Sequence, residues 1–339
     1  MNNIDLTVLM SVYNGEKHIE ETINSVLEQS YPYFNFLIIN DGSTDNTQGI
    51  IDIYADKDKR IDNYRIEKNV GVGKALQIGL VKIKTKYTVK VDADDLSHRD
   101  RFKLQIEYLK ENKDVSMVGS LINYFPDNEL IAESSRFKYL KAFYEYHQNN
   151  IIEKQDLREK LNWYNCFYHG SIMGRTDHIK QVGYPSFYIA EDYYLVYHLN
   201  KLRYNFAKIN KKLVDIRVSS NSTTVREHEK ILESIIKIKR KDLEDFLQGE
   251  KPIYLWGAGS FGEKLINQYE FIYNTVVGFI DSDKDNWGKK IGGKKVYSPT
   301  IIYQKGIKVL VASSLGRFEI AKELKEVGYQ SGIDFFVVN

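Results

Sequence analysis

Three carboxylates stand within four positions in the run Val89-Lys90-Val91-Asp92-Ala93-Asp94-Asp95. Like charges packed this closely repel, and a nearby cation relieves them. Magnesium-type ions take oxygen ligands, typically one or two carboxylates, with phosphate oxygens and water in the remaining positions. The chemistry suggested is a divalent cation held against a phosphate-bearing ligand. A solvated acidic turn, with Asp95 or Ser97 capping the next helix, is the plain alternative. A second acidic pair, Glu191-Asp192, opens a helical stretch. A carboxylate within reach of a hydroxyl can take its proton as that hydroxyl attacks. Two acids at a helix N-terminus can equally serve only the helix dipole.

Other residues at predicted strand ends suit the same ligand. Asp41 can accept a hydrogen bond from a ring N–H such as that of uracil, and backbone groups from Ser11 to Tyr13 can hold the other edge of the base. Lys74 follows two glycines at a predicted helix start, and helix N-termini and lysines both meet phosphate. Singly, Asp41 reads as an Asx-turn and Lys74 as a solvated lysine. Together they describe a slot for a base, a phosphate-friendly helix start and metal carboxylates. A nucleoside-diphosphate site requires those three things.

Such residues need a scaffold that gathers them. Leu6 to Val12 is a near-continuous apolar run, which predicts a parallel strand buried on both faces. Ile19, Ile23, Val26 and Leu27 predict an amphipathic helix between Lys17 and Gln29. Further strands are predicted at Phe36 to Ile39, near Tyr64 to Ile66 and at Tyr87 to Asp92, separated by helical stretches. This alternation predicts βαβ units and a mainly parallel sheet. Right-handed crossovers then bring the strand ends at Ser11, Asp41 and Asp92 to one edge.

Composition narrows the class. At 339 residues the chain has room for two domains. The balance of 48 basic against 46 acidic residues gives no global attraction to nucleic acid. The single cysteine, Cys166, excludes an intramolecular disulfide framework and fits a reducing compartment. No signal-like N-terminus and no long apolar run is seen, which predicts a cytoplasmic protein.

The ordered series Val8-Leu9-Met10-Ser11-Val12-Tyr13-Asn14, Ser25-Val26-Leu27-Glu28-Gln29-Ser30, Asn40-Asp41-Gly42-Ser43-Thr44-Asp45 and Val91-Asp92-Ala93-Asp94-Asp95 resembles the inverting family-2 glycosyltransferases of GT-A fold. The resemblance covers roughly residues 5–225. It implies that Asp41 contacts the nucleotide base, that Asp92 lies near the ribose, and that Asp94 holds Mn²⁺ or Mg²⁺ on the diphosphate. It implies too that Asp192 is the base, with Glu191 binding the acceptor or positioning Asp192. His169, in a His-Gly-Ser segment, would line the sugar pocket. Asn40 stands where the family usually has a first aspartate.

Two departures matter. The Gln-x-x-Arg-Trp signature of processive synthases is absent after Asp192, which favours addition of one or a few residues. Ser219 stands where many relatives carry a histidine, so water or His228 must substitute; Arg217 remains and could steady the leaving group. Twelve of the 25 tyrosines lie between Tyr124 and Tyr204, and aromatic faces with hydroxyl handles suit sugar rings. Half-buried tyrosines that touch no ligand would give the same count.

Residues 223–248 read as a linker helix between a 1–222 GT-A domain and a 249–339 Rossmann-like domain. Its lysines and Arg240 are compatible with peripheral contact to anionic lipid, where lipid-linked glycan acceptors reside; packing between domains is the alternative. Gly257, Gly259 and Gly262 fit G-x-G-x-x-G between a strand and a helix, with Asp281 ending the next strand. That is the form of a dinucleotide fingerprint and a possible second nucleotide site. Glycines that only allow a tight turn and close packing produce the same spelling.

The expectation is an α/β protein: a GT-A nucleotide-sugar-binding domain plus a small C-terminal Rossmann-like domain. It would transfer a sugar from a nucleotide-sugar donor, UDP-sugar first, to a glycan or lipid-linked acceptor, with a divalent cation, in the cytoplasm or at the inner membrane face. The rivals are an NAD(P)-dependent oxidoreductase or epimerase run by the C-terminal glycines, and a non-catalytic nucleotide-sugar-binding protein.

Overall fold

A computed structural model describes residues 4–186, 189–220, 230–313 and 316–338. The chain divides into two compact units, Met1–Ile231 and Leu232–Asn339. The first holds an eight-stranded sheet in the order β3-β2-β1-β4-β7-β6-β8-β5. Strands β1 (Leu6–Val12), β2 (Phe34–Asn40), β3 (Ile61–Arg65) and β4 (Tyr87–Asp92) are parallel neighbours, as the alternation predicts. Helices α1 (Ile19–Leu27), α2 (Thr47–Lys57) and α3 (Val72–Lys82) make the crossovers, and α4 (Arg101–Glu111) follows β4.

The apolar periodicity sets which faces are buried. Ile19, Ile23 and Val26 of α1 are fully buried, as are Phe102 and Leu109 of α4. Burial of one such side chain contributes roughly 1.5–3 kcal/mol before entropy is counted. Helix α3 reaches the sheet closely at Gly79, where a Cβ would sit 2.4 Å from Leu9 Cδ1. Close approach of α3 is what brings its first turn up to the sheet edge.

The middle of the chain continues the sheet beyond the strands the sequence predicts. Here β6 (Val115–Pro126) and β8 (Asn205–Val218) run as a long parallel pair with irregular register around Ser120–Ile122. Two short antiparallel strands complete the sheet: β7 (Met173–Arg175) between β4 and β6, and β5 (Leu96–Ser97) against β8. Several tyrosines credited to sugar contact are buried: Tyr124, Tyr184, Tyr193 and Tyr197 are each below 9% exposed.

The second unit carries a six-stranded sheet, β11-β12-β10-β9-β13-β14, whose edge strand β11 (Lys290–Ile291) pairs antiparallel with β12. Its four central pairings, among β9 (Ile253–Trp256), β10 (Val276–Ile280), β12 (Lys294–Tyr297), β13 (Lys308–Val311) and β14 (Phe335–Val337), are parallel. The helix expected as a linker belongs to this unit. Within Ile231–Leu247, Leu232, Ile236, Leu243, Phe246 and Leu247 enter the same apolar core as Leu255, Phe279 and Leu310. Its basic residues are partly committed, while Lys241 stays exposed. Lys239 is fully buried and donates to the carbonyls of Val337 and Val338, Lys237 pairs with Glu233, and Arg240 stacks on Phe271 and pairs with Glu244. Among the described residues no helix is long and apolar enough to cross a membrane.

Candidate active site

Register brings the strand ends level. Ser11 pairs with Ile39 on one side and Asp92 on the other, and Val12 pairs with Asn40. Ser11, Asp41 and Asp92 therefore share the carboxyl edge, where open α/β sheets bind ligands. The loop after β1 is laced to the loop after β2. Asn14 N donates to Ser43 Oγ at 3.0 Å, Thr44 N to Asn14 Oδ1 at 2.8 Å and Gly15 N to Thr47 Oγ1 at 2.8 Å. Asn14 is left-handed at φ 52°, a conformation asparagine tolerates. Tyr13 stands 41% exposed beside this lacing.

Asp41 is buried, and its two oxygens accept from the N–H groups of Val70 and Gly71, each at 2.9 Å. Burial pushes its carboxyl above the ordinary range, against the pull of those two donors. It clamps the segment that leads into α3, whose first turn carries the exposed Lys74. The sequence reading gave this carboxylate to a base; in the structure each oxygen already serves the backbone.

The acidic run after β4 is asymmetric. Asp92 Oδ1 is paired with Nζ of Lys90, a lysine only 2% exposed. Burial works against the charged form of Asp92, but Lys90, then His169, hold its carboxyl below the ordinary range. Asp95 Oδ1 accepts from Arg217 N at 3.0 Å, while its buried Oδ2 has no hydrogen-bond partner. Asp94 is half-buried, and burial, then the Asp92 charge, push its carboxyl up to about 6.

The donor set fits a divalent ion shared with a ligand. Asp94 and the orphaned Asp95 Oδ2 supply hard oxygens, yet among the described residues no three His, Cys, Asp or Glu side chains converge on a ready metal site. A cation here would complete its shell with phosphate oxygens and water.

The short turn His169–Ser171 joins this run to the second acidic pair. A Cβ on Gly170 would lie 2.6 Å from Asp92 Oδ2 and 3.2 Å from Asp95 Oδ2, so the bare backbone rests against both carboxylates. His169 is buried, with Nε2 3.1 Å from the Tyr184 hydroxyl and Nδ1 3.4 Å from Glu191 Oε1. Burial, then the charges of Glu191, Asp92 and Asp192, push the Tyr184 hydroxyl up. Tyr184 thus feels carboxylates of both stretches.

The helix Glu191–Lys201 starts at the residue the sequence reading chose, after Ala190 at φ 68°. Asp192 Oδ1 accepts from Tyr193 N and its Oδ2 from Asn165 Nδ2, each at 2.7 Å. Burial, then the neighbouring Glu191 charge, raise its carboxyl to about 6.

Arg217, expected on the acceptor side, is committed to the acidic loop. Its Nε donates to the Asp94 carbonyl at 3.0 Å, its guanidinium pairs with Glu21 and stacks on Phe125, and its side chain is 8% exposed. It braces the acidic loop from below. His228 lies outside the described residues. Sequence reasoning missed Lys90, Asn165, Gly170 and Tyr184. Only Lys90 had left a signal: a charged residue inside an apolar strand, two positions before Asp92.

In the second unit the three glycines differ. Gly257 turns at φ 126°, and a Cβ there would lie 2.3 Å from the Ala312 carbonyl; a Cβ on Gly262 would lie 1.9 Å from the Gly257 carbonyl. Gly259 has nothing within 4 Å. Asp281, placed on a ribose by the fingerprint, instead accepts from Ala258 N at 2.7 Å and Asp283 N at 2.8 Å. It closes the glycine turn.

Comparison with known proteins shows the family of the first part of the chain. The profile of glycosyl transferase family 2 matches residues 7–183, and that of C2185-like, N-terminal, matches 249–332. The O-antigen biosynthesis glycosyltransferase WbnJ of Escherichia coli is 31% identical over 64% of this chain and 81% of its own length. An uncharacterized glycosyltransferase of Haemophilus influenzae is 28% identical over 73% of this chain and 76% of its own. Among solved structures, S. aureus TarS 1-349 in complex with UDP-GlcNAc superposes with a TM-score of 0.57 at 18% identity, over 70% of this chain and 66% of that one. The mannosyltransferase PcManGT of Pyrobaculum calidifontis, in complex with GDP-Man and Mn²⁺, gives 0.53 at 18% identity, over 74% of this chain and 67% of that one. The chain thus spans about two thirds of each solved structure.

Proposed function

Because the chain belongs to glycosyl transferase family 2 and is a glycosyltransferase, we propose that it moves a sugar from a UDP-sugar to a hydroxyl of a surface-glycan precursor. The reading is supported by the junction at His169, Gly170 and Tyr184, where the Asp92–Asp95 run and the Glu191-Asp192 pair approach each other. A UDP donor and a glycan precursor draw on the relatives named for O-antigen synthesis and for UDP-GlcNAc complexes.

In this mechanism Ser11, Tyr13 and the loop held by Asp41 cradle the nucleotide, and Lys74 faces the phosphates. Asp94, with Asp95 Oδ2 as a further hard oxygen and Asp92 on the ribose side, would hold Mn²⁺ or Mg²⁺, which when bound neutralises charge on the departing diphosphate. Asp192 takes the proton of the acceptor hydroxyl as it attacks the anomeric carbon from the opposite face, which inverts the centre. Asn165 and the helix N–H of Tyr193 orient that carboxylate, and His169 holds Glu191 next to it.

The test is to incubate the full chain with UDP-sugars and Mn²⁺, measuring UDP release and the anomeric configuration of the product by NMR. Inverted product and UDP in equal amounts are expected. Near-normal turnover by folded Asp94→Ala and Asp192→Ala proteins would overturn the assignment.

A further inference from the structure

Lys90 is the one basic group of the acidic run, and the mechanism above does not use it. Its backbone is fixed on both sides: its N–H donates to the Ile172 carbonyl at 3.1 Å, and its carbonyl accepts from Arg101 Nη2 at 2.8 Å. Lys90 and Asp92 are two apart on β4, so their side chains share a face of the sheet. The ammonium, 2% exposed, has Asp92 Oδ1 as its hydrogen-bond partner. Asp92 is thereby left with a single oxygen, Oδ2, at the Gly170 wall. Asp95 is similarly half-committed, through Oδ1, to Arg217 N. Asp92 and Asp95 each accept from another residue, whereas the donor near the Asp94 carboxylate is its own backbone N–H.

A unit positive charge close to a cation site repels the ion, the more so where little water intervenes. A buried ammonium on Asp92 therefore both ties up an oxygen of the acidic run and opposes a divalent ion at Asp94. A diphosphate brings the missing negative charge and the missing oxygens together. Building on the glycosyltransferase reading, we propose that Lys90 is a positioning residue that serves as a resident counter-cation on Asp92, so that the free protein binds a divalent ion weakly and takes it up together with a nucleoside diphosphate.

The proposal makes an opposite-sign prediction that a purely structural lysine would not. Removal of the ammonium should strengthen Mn²⁺ binding to the nucleotide-free protein while weakening the donor complex. The experiment is Mn²⁺ titration of the full chain by electron paramagnetic resonance, with and without UDP, on wild type, Lys90→Arg, Lys90→Met and the double variant Lys90→Met/Asp92→Asn. Wild type and Lys90→Arg should bind Mn²⁺ well only with UDP. Lys90→Met should gain about tenfold or more in affinity for Mn²⁺ without UDP, and the double variant, neutral at both positions, should lose that gain.

Micromolar Mn²⁺ binding by nucleotide-free wild type would overturn the proposal. So would an unchanged or weaker affinity in folded Lys90→Met. If that single variant does not fold, the wild-type titration alone still decides, because strong binding without UDP refutes the idea and UDP-dependent binding supports it. Failure of wild type to bind Mn²⁺ even with UDP would instead sink the reading of the site on which the proposal rests.

Discussion

Nδ1 of His169 lies 3.4 Å from Oε1 of Glu191, while the other ring nitrogen faces the Tyr184 hydroxyl at 3.1 Å. The next residue, Gly170, touches Asp92 and Asp95. Two adjacent residues therefore connect the proposed leaving-group side to the proposed base side, and that connection orders the expected behaviour of variants.

Asp192→Asn removes the proposed base but leaves the nucleotide half intact. Turnover should fall by roughly 10²–10⁴, the usual contribution of general base catalysis. The thermal shift produced by UDP with Mn²⁺ should persist. Parallel loss of both would show that Asp192 serves the fold and not the reaction.

The pH profile follows from the same residue. Its carboxyl sits at about 6, above the ordinary range, because of burial and then Glu191. The base form therefore fills as pH rises through about 6, so turnover should climb across that point and level off above it. Stability runs the other way. An acid whose folded pKa is raised binds more protons folded than unfolded between about 4 and 6, so the free protein loses stability across that window as pH rises. A profile flat from pH 5 to 8, measured with chemistry rate-limiting, would contradict the base assignment.

Asp94→Ala should abolish the Mn²⁺-dependent part of UDP binding, seen as loss of the added thermal stabilisation when the metal is supplied. In the absence of metal and nucleotide the variant should melt no lower than wild type, because a half-buried carboxylate beside Asp92 is removed.

Gly170→Ala places a methyl 2.6 Å from Asp92 Oδ2 and 3.0 Å from the Tyr168 ring. Overpacking of this kind costs about 1–3 kcal/mol. Activity should fall further than stability alone accounts for, because the displaced atoms are carboxylate oxygens of the acidic run. Full activity at unchanged melting temperature would show that the turn can yield.

The glycines of the second unit should part company. Gly262→Ala drives a methyl to 1.9 Å from a carbonyl oxygen and should destabilise that unit by several kcal/mol, more than the usual 1–3 kcal/mol of overpacking. Gly259→Ala, in open space at φ −82°, should melt like wild type. Calorimetry of the two variants separates these outcomes.

Much of the first unit was legible because its chemistry sits at strand ends. Carboxylates at 92–95 and 191–192, glycines at helix starts and apolar runs are local signals, and the helix at Glu191 begins where its acids suggested. Pairings between β6 and β8 were not legible, since their register shifts and polar residues blur the period-two pattern. Buried charges were misjudged for a related reason. Lys239 looked like part of a solvated basic face, yet backbone carbonyls ninety-odd residues onward satisfy its ammonium. Arg217, read as able to steady the leaving group, meets a carbonyl, a carboxylate and an aromatic ring. Long-range partners of this sort leave no trace in spacing.

The clamp made by Asp41 bears on how donor preference could be altered. With both oxygens turned toward Val70 and Gly71, and further lone pairs left on each, a substitution at Asp41 would loosen the hinge of the third helix as well as remove any contact those lone pairs make. Separating the two effects would call for variants of the loop around Val70 and Gly71 rather than of the carboxylate alone.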